Sequence, residues 1–415
     1  MYKARALSKK IKLLVENFPA VVVSGARQVG KSTLIQHLFP EYEMVVFDPV
    51  KDVGNARHDP DLFLDNHPPP LVLDEIQYAP ELVPALKRRI DKNRAPGGYI
   101  LTGSQQWSVL KTISESLSGR CVFADMEGFS LAEIAEDIPN IFWLSRWLAA
   151  PDDFLKTGVT IRTPQRTLYE QLWRGWLPDA DRIPLELLPD FHAAYFRTYI
   201  ERDVRLLADV DDWQQFGRFV QLSAAMNSQE INHSQLGRDI GITPQTARRW
   251  LALLKATFQW YEVPAYSGNA IKRISGKAKG YFADSGLACH LQQITSPQSL
   301  GGNPRAGALF ESAVMAEIRK MMVLEPVQPA FYHWRTHAGA EIDILLERDG
   351  CFFPIEVKLT TNPSRKDTSG FRAFRETYPT LKTAPGLVIT PGHAGTGHAL
   401  MKISEHDYAI SWQAV

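Results

Sequence analysis

Hydrophobic and polar residues along the chain follow two periods, and their order predicts the fold. Short apolar runs rich in β-branched residues are typical of buried strands, whereas apolar residues every three or four positions indicate helices. In the first third of the sequence, strands are predicted at 21–23, 45–48, 71–75, 99–104 and 121–123. Helices are predicted at 3–17, from Thr33 onward, and at 79–94. Strands that alternate with helices favour an α/β domain with a parallel sheet.

The remaining pattern divides into three further parts. Residues 131–225 are predominantly helical but interrupted by prolines, and 226–300 contain two short helices followed by the strand-like run 258–263. From 301 to 415, a helix at 310–318 precedes strand-like runs at 331–334, 341–346 and 351–358, then a helix and a closing strand at 386–390. With residues 1–130 as the first unit, the sequence predicts four regions.

Composition narrows the class of protein. The 415 residues carry 46 basic and 46 acidic side chains, so no global field favours nucleic acid and any basic surface must be local. The three cysteines are too few and too widely spaced for a disulfide framework or a metal site. No apolar run approaches the length of a membrane span, and no signal-peptide core is present. We therefore expect a cytoplasmic protein without a membrane partner.

The first strand leads into a phosphate-binding motif. Residues 25–32 fit G-x-x-x-x-G-K-[ST] without a mismatch, between a strand and a helix as the motif requires. Lys31 is expected to contact the β- and γ-phosphates, and the Ser32 hydroxyl to ligate Mg²⁺. The predicted nucleotide-binding residues are Gly25, Ala26, Arg27, Gln28, Val29, Gly30, Lys31, Ser32 and Thr33.

The strand at 71–75 ends in two acids. Asp74 is expected to position Mg²⁺ and Glu75 to polarise the attacking water, so ATP and Mg²⁺ are the predicted cofactors. The strand at 99–104 ends in hydroxyls, and Thr102 or Ser104 either senses the γ-phosphate or caps the strand end. Arg120 is either a finger that reaches a neighbouring subunit's phosphate or a solvated side chain. A finger acting in trans predicts a homo-oligomer such as a hexameric ring.

These motifs resemble a known family. The runs at 25–34, 73–77, 101–104 and 118–120 are similar to those of bacterial and archaeal AAA+ ATPases that carry a C-terminal DUF4143-type domain. Later runs at 199–204, 282–287 and 356–358 are also similar, so the resemblance spans nearly the whole chain. Gly25-Ala26-Arg27 departs from the usual Gly-Pro-Arg, at a position that contributes mainly backbone. The resemblance identifies the family without establishing what the C-terminal domain does.

Residues 234–251 have the pattern of a helix-turn-helix. The first helix ends at Gly241, and Thr243 caps a second helix with Pro244 at its first position. A basic, wing-like segment follows. The two helices and this segment together suggest a winged-helix unit that contacts DNA. Such units also serve as scaffolds or protein-binding modules. The predicted DNA-binding residues are Gln245, Arg248, Arg249, Lys272, Arg273, Lys277 and Lys279.

The C-terminal strands carry a second group of acids. Alternation places Glu341 with Asp343 on one face of a strand, and Glu356 with Lys358 on one face of the next. With Glu311 from the preceding helix, this resembles the PD-(D/E)xK nuclease fold. In that chemistry Glu311, Asp343 and Glu356 hold Mg²⁺, and Lys358 lies beside the nucleophile or the charged transition state. Such a domain is either a working nuclease or a shell that binds nucleic acid.

The sequence thus predicts an α/β protein: a P-loop NTPase domain of the AAA+ (ASCE) type with a parallel sheet, a helical and winged-helix region, and an α/β domain like that of restriction endonucleases. Its predicted function is Mg²⁺-dependent ATP hydrolysis coupled to DNA binding and remodelling, by branch migration, unwinding or end processing. An ATP-dependent DNA nuclease and an ATP-driven signalling or defence switch that binds a protein partner are the alternatives.

Overall fold

The structure is a computed structural model, and it describes residues 2–104, 117, 119–199, 204, 212–269, 273, 276–392 and 400–414. Lys272, Ser118 and residues 200–203, on which some of the sequence predictions fall, lie outside the described residues.

Helices of the described residues are numbered here in chain order. They are α1 Ser8–Asn17, α2 Lys31–Leu38, α3 Pro60–Asn66, α4 Leu82–Lys92, α5 Leu131–Ile134, α6 Trp143–Ala149, α7 Pro151–Thr157, α8 Leu168–Arg174, α9 Pro178–Arg182, α10 Leu188–Thr198, α11 Trp213–Ala225, α12 His233–Ile240, α13 Pro244–Ala256, α14 Ser285–Leu291, α15 Pro297–Gly301, α16 Ala306–Leu324 and α17 Ser369–Thr377.

The strands are numbered in the same way. They are β1 Ala20–Ser24, β2 Glu43–Val46, β3 Leu71–Asp74, β4 Tyr99–Gly103, β5 Cys121–Asp125, β6 Gln229–Glu230, β7 Trp260–Val263, β8 Lys279–Phe282, β9 Ala330–Arg335, β10 Glu341–Arg348, β11 Cys351–Val357, β12 Lys382–Thr383, β13 Leu387–Thr390, β14 Leu400–Lys402 and β15 Tyr408–Ser411.

The first sheet has the order β2-β3-β4-β1-β5, and all its pairs are parallel. The predicted parallel sheet is confirmed, and β4 lies between the two strands that carry the phosphate-binding and acidic motifs. Every residue of β1 is buried. Val21 and Val23 face one hydrophobic cluster while Ala20 and Val22 face another, because successive side chains of a strand point to opposite faces. Helices therefore cover both faces, and the motifs gather at the carboxyl edge.

The middle of the chain contains the predicted pair of helices. Gly241, with φ +78°, ends α12, and the Thr243 hydroxyl accepts a 3.1 Å hydrogen bond from the backbone N–H of Thr246 at the start of α13. A small antiparallel sheet in the order β6-β8-β7 lies beside them.

The C-terminal sheet has the order β14-β15-β13-β11-β10-β9, with β12 paired to β11. The predicted strands at 331–334, 341–346 and 351–358 are present as the antiparallel set β9-β10-β11. The strand at 386–390 does not close the sheet as expected. Instead β13 is interior, because β15 pairs with it in parallel and β14 continues the sheet beyond. Among the described residues, no helix is both long and apolar enough to cross a membrane.

Candidate functional site

The loop between β1 and α2 depends on two glycines. Gly25 has φ +154°, and a Cβ at this position would lie 2.0 Å from the carbonyl oxygen of Met126. Gly30 has φ +91° and directly precedes Lys31, the first residue of α2. Because side chains are rarely tolerated at such angles, both glycines are needed for this chain path. The loop therefore brings backbone N–H groups to the start of a helix, where anions bind.

Lys31 lies inside this loop. Its side chain is buried, and its Nζ donates hydrogen bonds of 2.9 Å to the carbonyl oxygen of Gly25 and 2.8 Å to that of Ala26. Carbonyl oxygens are neutral acceptors, so these bonds orient the ammonium without cancelling its charge. The lysine is thus suited to attract a phosphate to the loop.

Asp74 is the meeting point of the two motifs. Its Oδ1 accepts hydrogen bonds from the hydroxyl of Ser32, at 3.0 Å, and from that of Thr102. Burial raises the pKa of Asp74, and these two hydrogen bonds oppose the rise. Hard oxygen ligands such as a hydroxyl and a carboxylate suit Mg²⁺, so Ser32 and Asp74 fit the predicted metal. Thr102 contacts Asp74 here, which makes it a positioning residue in this structure.

Glu75 has a left-handed backbone with φ +57°, uncommon for a residue with a side chain. Its N–H donates to the Thr102 hydroxyl at 3.2 Å, and its carboxylate accepts from the side-chain amide of Gln77. The same amide nitrogen lies 3.2 Å from the Ser104 hydroxyl. Ser104, directly after β4, and Glu75, directly after β3, are thus linked through Gln77. Gln77 belongs to the family-like run 73–77, but nothing in the sequence indicates that it orients Glu75.

A second cluster lies between β8, α16, β10 and β11. The Nζ of Lys279 is 2.7 Å from Glu311 Oε1 and 2.9 Å from Asp343 Oδ1, and the Tyr281 hydroxyl donates to the same Glu311 oxygen at 2.7 Å. Nearby, the Nζ of Lys358 is 2.6 Å from Glu356 Oε1. The predicted Glu311, Asp343, Glu356 and Lys358 are therefore brought together, with Lys279 between two of the acids.

The charges in this cluster shift one another. Burial opposes the charged form of Lys279, but Asp343 and Glu311 raise its pKa above the ordinary value. Burial likewise opposes ionisation of Asp343, yet Lys279 and Lys358 lower its pKa. Burial and Asp343 raise the pKa of Glu311 to about 7, and the same two causes raise that of Glu356. Lys279 and Asp343 thus form a charged pair at neutral pH.

A metal ion fits this second cluster poorly. One carboxylate oxygen from each of Glu341, Asp343 and Glu356 lies within 4.8 Å of the others, which is close enough for a shared cation. However, the ammonium of Lys279 already bonds oxygens of Glu311 and Asp343, and a divalent ion on those oxygens would meet a like charge. The expected Mg²⁺ site of Glu311, Asp343 and Glu356 therefore does not fit the residues as they are arranged.

Three sequence families match successive parts of the chain. Residues 17–135 match the model of the AAA domain, 165–298 that of a domain of unknown function (DUF8612), and 306–412 that of a domain of unknown function (DUF4143). The chain combines an AAA domain with a C-terminal DUF4143 domain. This agrees with the five-stranded parallel sheet and the P-loop geometry, so the first part is a P-loop NTPase of the AAA type.

Two relatives match this chain along most of their length. The chain is 25% identical over 393 residues to the uncharacterized protein Rv2008c of Mycobacterium tuberculosis, covering 94% of this chain and 81% of that protein. The same figures hold for the uncharacterized protein Mb2031c of Mycobacterium bovis. Among solved structures, the Walker-type ATPase PABY2304 of Pyrococcus abyssi is similar at 15% identity and a TM-score of 0.40, covering 70% of this chain and 96% of that one.

Arg120 lies at the opposite edge of the AAA sheet from the P-loop. It immediately precedes β5, which runs parallel to β1, whereas the loop follows the end of β1. Its guanidinium makes two contacts with the carboxylate of Asp91 at the end of α4, at 2.6 and 2.9 Å. The structure therefore does not bring Arg120 to the nucleotide loop of its own chain.

Contacts from outside the sheet hold the P-loop. Arg5 donates to the carbonyl oxygen of Val29 at 2.8 Å, and the Tyr195 hydroxyl to that of Arg27 at 3.4 Å. A cavity of about 240 Å³ adjoins the loop, and its lining includes Val29, Tyr195 and Trp260. Neither Arg5 nor Tyr195 stands in a motif, so nothing in the sequence pattern marks them as contacts of the P-loop.

The predicted DNA-binding residues divide into two groups. Gln245, Arg248 and Arg249 are exposed on α13, and Lys277 is exposed before β8. Arg273 instead packs its guanidinium over the ring of Tyr266, with a centroid distance of 4.6 Å. Lys279 corrects the prediction, because its ammonium is turned into the DUF4143 domain and only 12% of its side chain is exposed. It is unavailable for a phosphate.

Proposed function

We propose that this protein hydrolyses ATP with Mg²⁺ and uses the energy to bind and remodel DNA. The observation that carries the ATPase part is the convergence of Lys31, Ser32, Asp74 and Glu75 at one edge of the AAA sheet. In this mechanism Lys31 would bind the β- and γ-phosphates, and Ser32 and Asp74 would hold Mg²⁺, which neutralises phosphate charge when bound. Glu75, aimed by Gln77, orients and polarises the attacking water. The cavity beside Val29 would accommodate the base and ribose.

The DNA part rests on α13. This helix follows a short turn after α12, and Gln245, Arg248 and Arg249 present amide and guanidinium groups to solvent. In helix-turn-helix proteins the second helix enters the major groove, and arginine suits both phosphate and guanine. Lys277, on the segment before β8, adds a further positive charge. The nuclease alternative is less favoured, because the Lys279 ammonium bonds Glu311 and Asp343, two of the three acids predicted to hold its metal.

A short chain of hydrogen bonds offers a route between the two activities. The carbonyl oxygen of Arg27 in the P-loop accepts from the Tyr195 hydroxyl, which in turn accepts from the side-chain amide of Gln259 at 3.1 Å. Gln259 lies three residues after the end of α13, and both it and Tyr195 are buried. A movement of α13 on binding DNA would therefore change the position of Tyr195 and, through it, of the P-loop backbone at Arg27.

The test is ATP turnover of the purified chain with and without DNA. We expect turnover to rise on addition of duplex or forked DNA and to vanish in Lys31→Ala. Arg248→Ala combined with Arg249→Ala should lower the stimulation and weaken its dependence on salt, since each lost phosphate contact reduces the salt slope by about 1. Arg238→Ala, on the neighbouring helix α12, is the matched control for lost surface charge. If turnover with every form of DNA equals turnover without DNA, the proposed action on DNA is wrong and only the ATPase activity remains.

A further inference from the structure

The carboxylate cluster of the DUF4143 domain is built around a lysine from another region. Glu311 comes from α16, Asp343 from β10 and Glu356 from β11, whereas Lys279 opens β8. The side chains of Lys279, Glu311 and Asp343 are 12%, 13% and 5% exposed. A lysine is rarely buried unless it is paired. Its position is therefore set by these acids and is not that of a surface side chain.

The oxygen atoms of the two most buried acids are all in use. Asp343 Oδ1 accepts from Lys279 and its Oδ2 from the backbone N–H of Val357 at 3.0 Å. Glu356 Oε1 accepts from Lys358, and its Oε2 from the N–H of Asp343 at 3.3 Å. A divalent ion on Asp343 Oδ1 or Glu356 Oε1 would lie close to an ammonium that already bonds that oxygen, so it would be repelled and would have to compete with the lysine.

The backbone holds Lys279 in place. β8 pairs with β7 on one side and β6 on the other, so the strand that carries Lys279 cannot slide. A Cβ on the next residue, Gly280, would lie 1.9 Å from the ring of Trp260, which shows how closely the two strands fit. At the end of β8, the Ser312 hydroxyl of α16 donates to the carbonyl oxygen of Phe282 at 2.9 Å. The paired strands β7 and β8, called the β7–β8 ribbon below, thus hold the Lys279 ammonium at the cluster.

We propose that the Lys279 ammonium takes the place of a metal ion at this cluster, so that the acids of the DUF4143 domain are neutralised by the preceding region of the same chain and bind no divalent cation there. The cluster then fastens the β7–β8 ribbon to α16 and β10. This inference is independent of ATP hydrolysis, since none of its residues belongs to the AAA domain.

The experiment measures the melting temperature of the nucleotide-free full chain in EDTA and in Mn²⁺. Four variants are compared with the wild type: Lys279→Met, which removes the charge; Lys279→Arg, which keeps it; Glu356→Gln; and the double variant Lys279→Met/Glu356→Gln. Any effect of Mn²⁺ at the ATP site is common to all five proteins. For each protein, the Mn²⁺ response is the melting temperature in Mn²⁺ minus that in EDTA. A response that is lost when Glu356→Gln is introduced reports Mn²⁺ bound at this cluster.

In the wild type and in Lys279→Arg, we expect no rise of the melting temperature in Mn²⁺ that depends on Glu356. Lys279→Met should melt several degrees lower in EDTA, because two buried acids lose their cation, and Mn²⁺ should recover most of that loss. The recovery should disappear in the double variant. A wild-type response to Mn²⁺ that Glu356→Gln removes would overturn the proposal, as would a Lys279→Met protein that ignores Mn²⁺. If Lys279→Met does not fold, the wild type and Glu356→Gln still decide the question.

Discussion

Two clusters of this chain place a lysine beside acids at the end of strands, and they differ in what the lysine bonds. In the AAA domain Lys31 bonds backbone carbonyls, and Asp74 bonds hydroxyls. At the second cluster Lys279 bonds the acids of the DUF4143 domain themselves. The pKa shifts record the difference: burial raises that of Asp74, whereas Lys279 and Lys358 overcome burial and lower that of Asp343. In the first arrangement the charges of Lys31 and Asp74 face neutral partners and are available to a ligand. In the second, the charges of Lys279 and Asp343 neutralise each other.

The clusters also differ in how they are assembled. The AAA site takes its residues from the ends of β1, β3 and β4, which are neighbours in one sheet. The second cluster needs a helix, two strands of one sheet and one strand of another. The acids of the first site therefore belong to one rigid sheet, whereas the second cluster joins a strand of the small sheet to a helix and two strands of the C-terminal domain. Four predictions test this contrast.

The largest effect is expected from Glu75→Gln. Loss of the acid that polarises water should lower ATP turnover at least about 100-fold, while binding of ATP persists because Lys31 and the loop are intact. The corresponding change in the other cluster, Glu356→Gln, should leave turnover within about twofold of the wild type. Phosphate release at saturating Mg²⁺ and ATP, with binding of a fluorescent ATP analogue, measures both. Similar losses in the two variants would mean that the clusters act as one site.

A smaller effect on turnover is expected from Arg120→Ala. If Arg120 serves the phosphate of a neighbouring subunit, turnover should fall about 10-fold or more, and wild-type turnover per chain should rise with protein concentration. Asp91→Ala removes the partner that Arg120 contacts in this structure and is the matched control. It should keep most of the activity, since the guanidinium remains. Equal behaviour of the two variants would assign Arg120 to a surface ion pair alone.

Much of the AAA site could be predicted because its residues are close in sequence to strand ends. Gly25, Lys31 and Asp74 follow from apolar runs that stop at recognisable motifs, and parallel strands bring such ends together. Lys279 could not be placed in this way, because its partners Glu311 and Asp343 are 32 and 64 residues away in other regions. A basic segment without acids suggested a wing on DNA. The one available signal was that Lys279 and Tyr281 share a face of a strand.

The third prediction concerns stability beside the second cluster. α17 approaches the start of β10 so closely that a Cβ on Gly370 would lie 1.8 Å from the carbonyl oxygen of Glu341. Gly370→Ala should therefore destabilise the protein by about 2–3 kcal/mol, because helix and strand must separate. Gly339→Ala, at φ +88° but with open space around it, should cost about 1 kcal/mol. Urea denaturation followed by tryptophan fluorescence compares them, and an equal cost would mean that the close approach is not needed.

The smallest predicted effects are changes of stability when an aspartate is replaced by asparagine. They distinguish a carboxylate paired with cations from one that has only hydroxyl partners. Asp181 resembles Asp343 in having two cations, with its oxygens 3.0 Å from Lys3 and 2.5 Å from Arg166. Burial opposes ionisation of Asp181, but these two cations lower its pKa. Its stabilising contribution is therefore present above the unfolded pKa of about 3.9 and is lost as the pH falls through the lower folded value. Asp74 has the opposite shift, so its charge at neutral pH destabilises the fold.

These signs give opposite expectations for the same substitution. At pH 7, Asp181→Asn should lower the free energy of unfolding by about 1 kcal/mol, and Asp74→Asn should raise it by up to about 1 kcal/mol. The difference for Asp74→Asn should disappear as the pH falls towards about 3, because Asp74, with its raised pKa, is then neutral as asparagine already is. The difference for Asp181→Asn should begin to shrink below the unfolded pKa of about 3.9 and should persist in part at pH 3, because the folded pKa of Asp181 is lower. Denaturation midpoints at pH 7, 5 and 3 measure this. A loss of stability in Asp74→Asn would mean that the AAA acid is already paired within the fold, and the contrast between the two clusters would then rest on Lys31 and Lys279 alone.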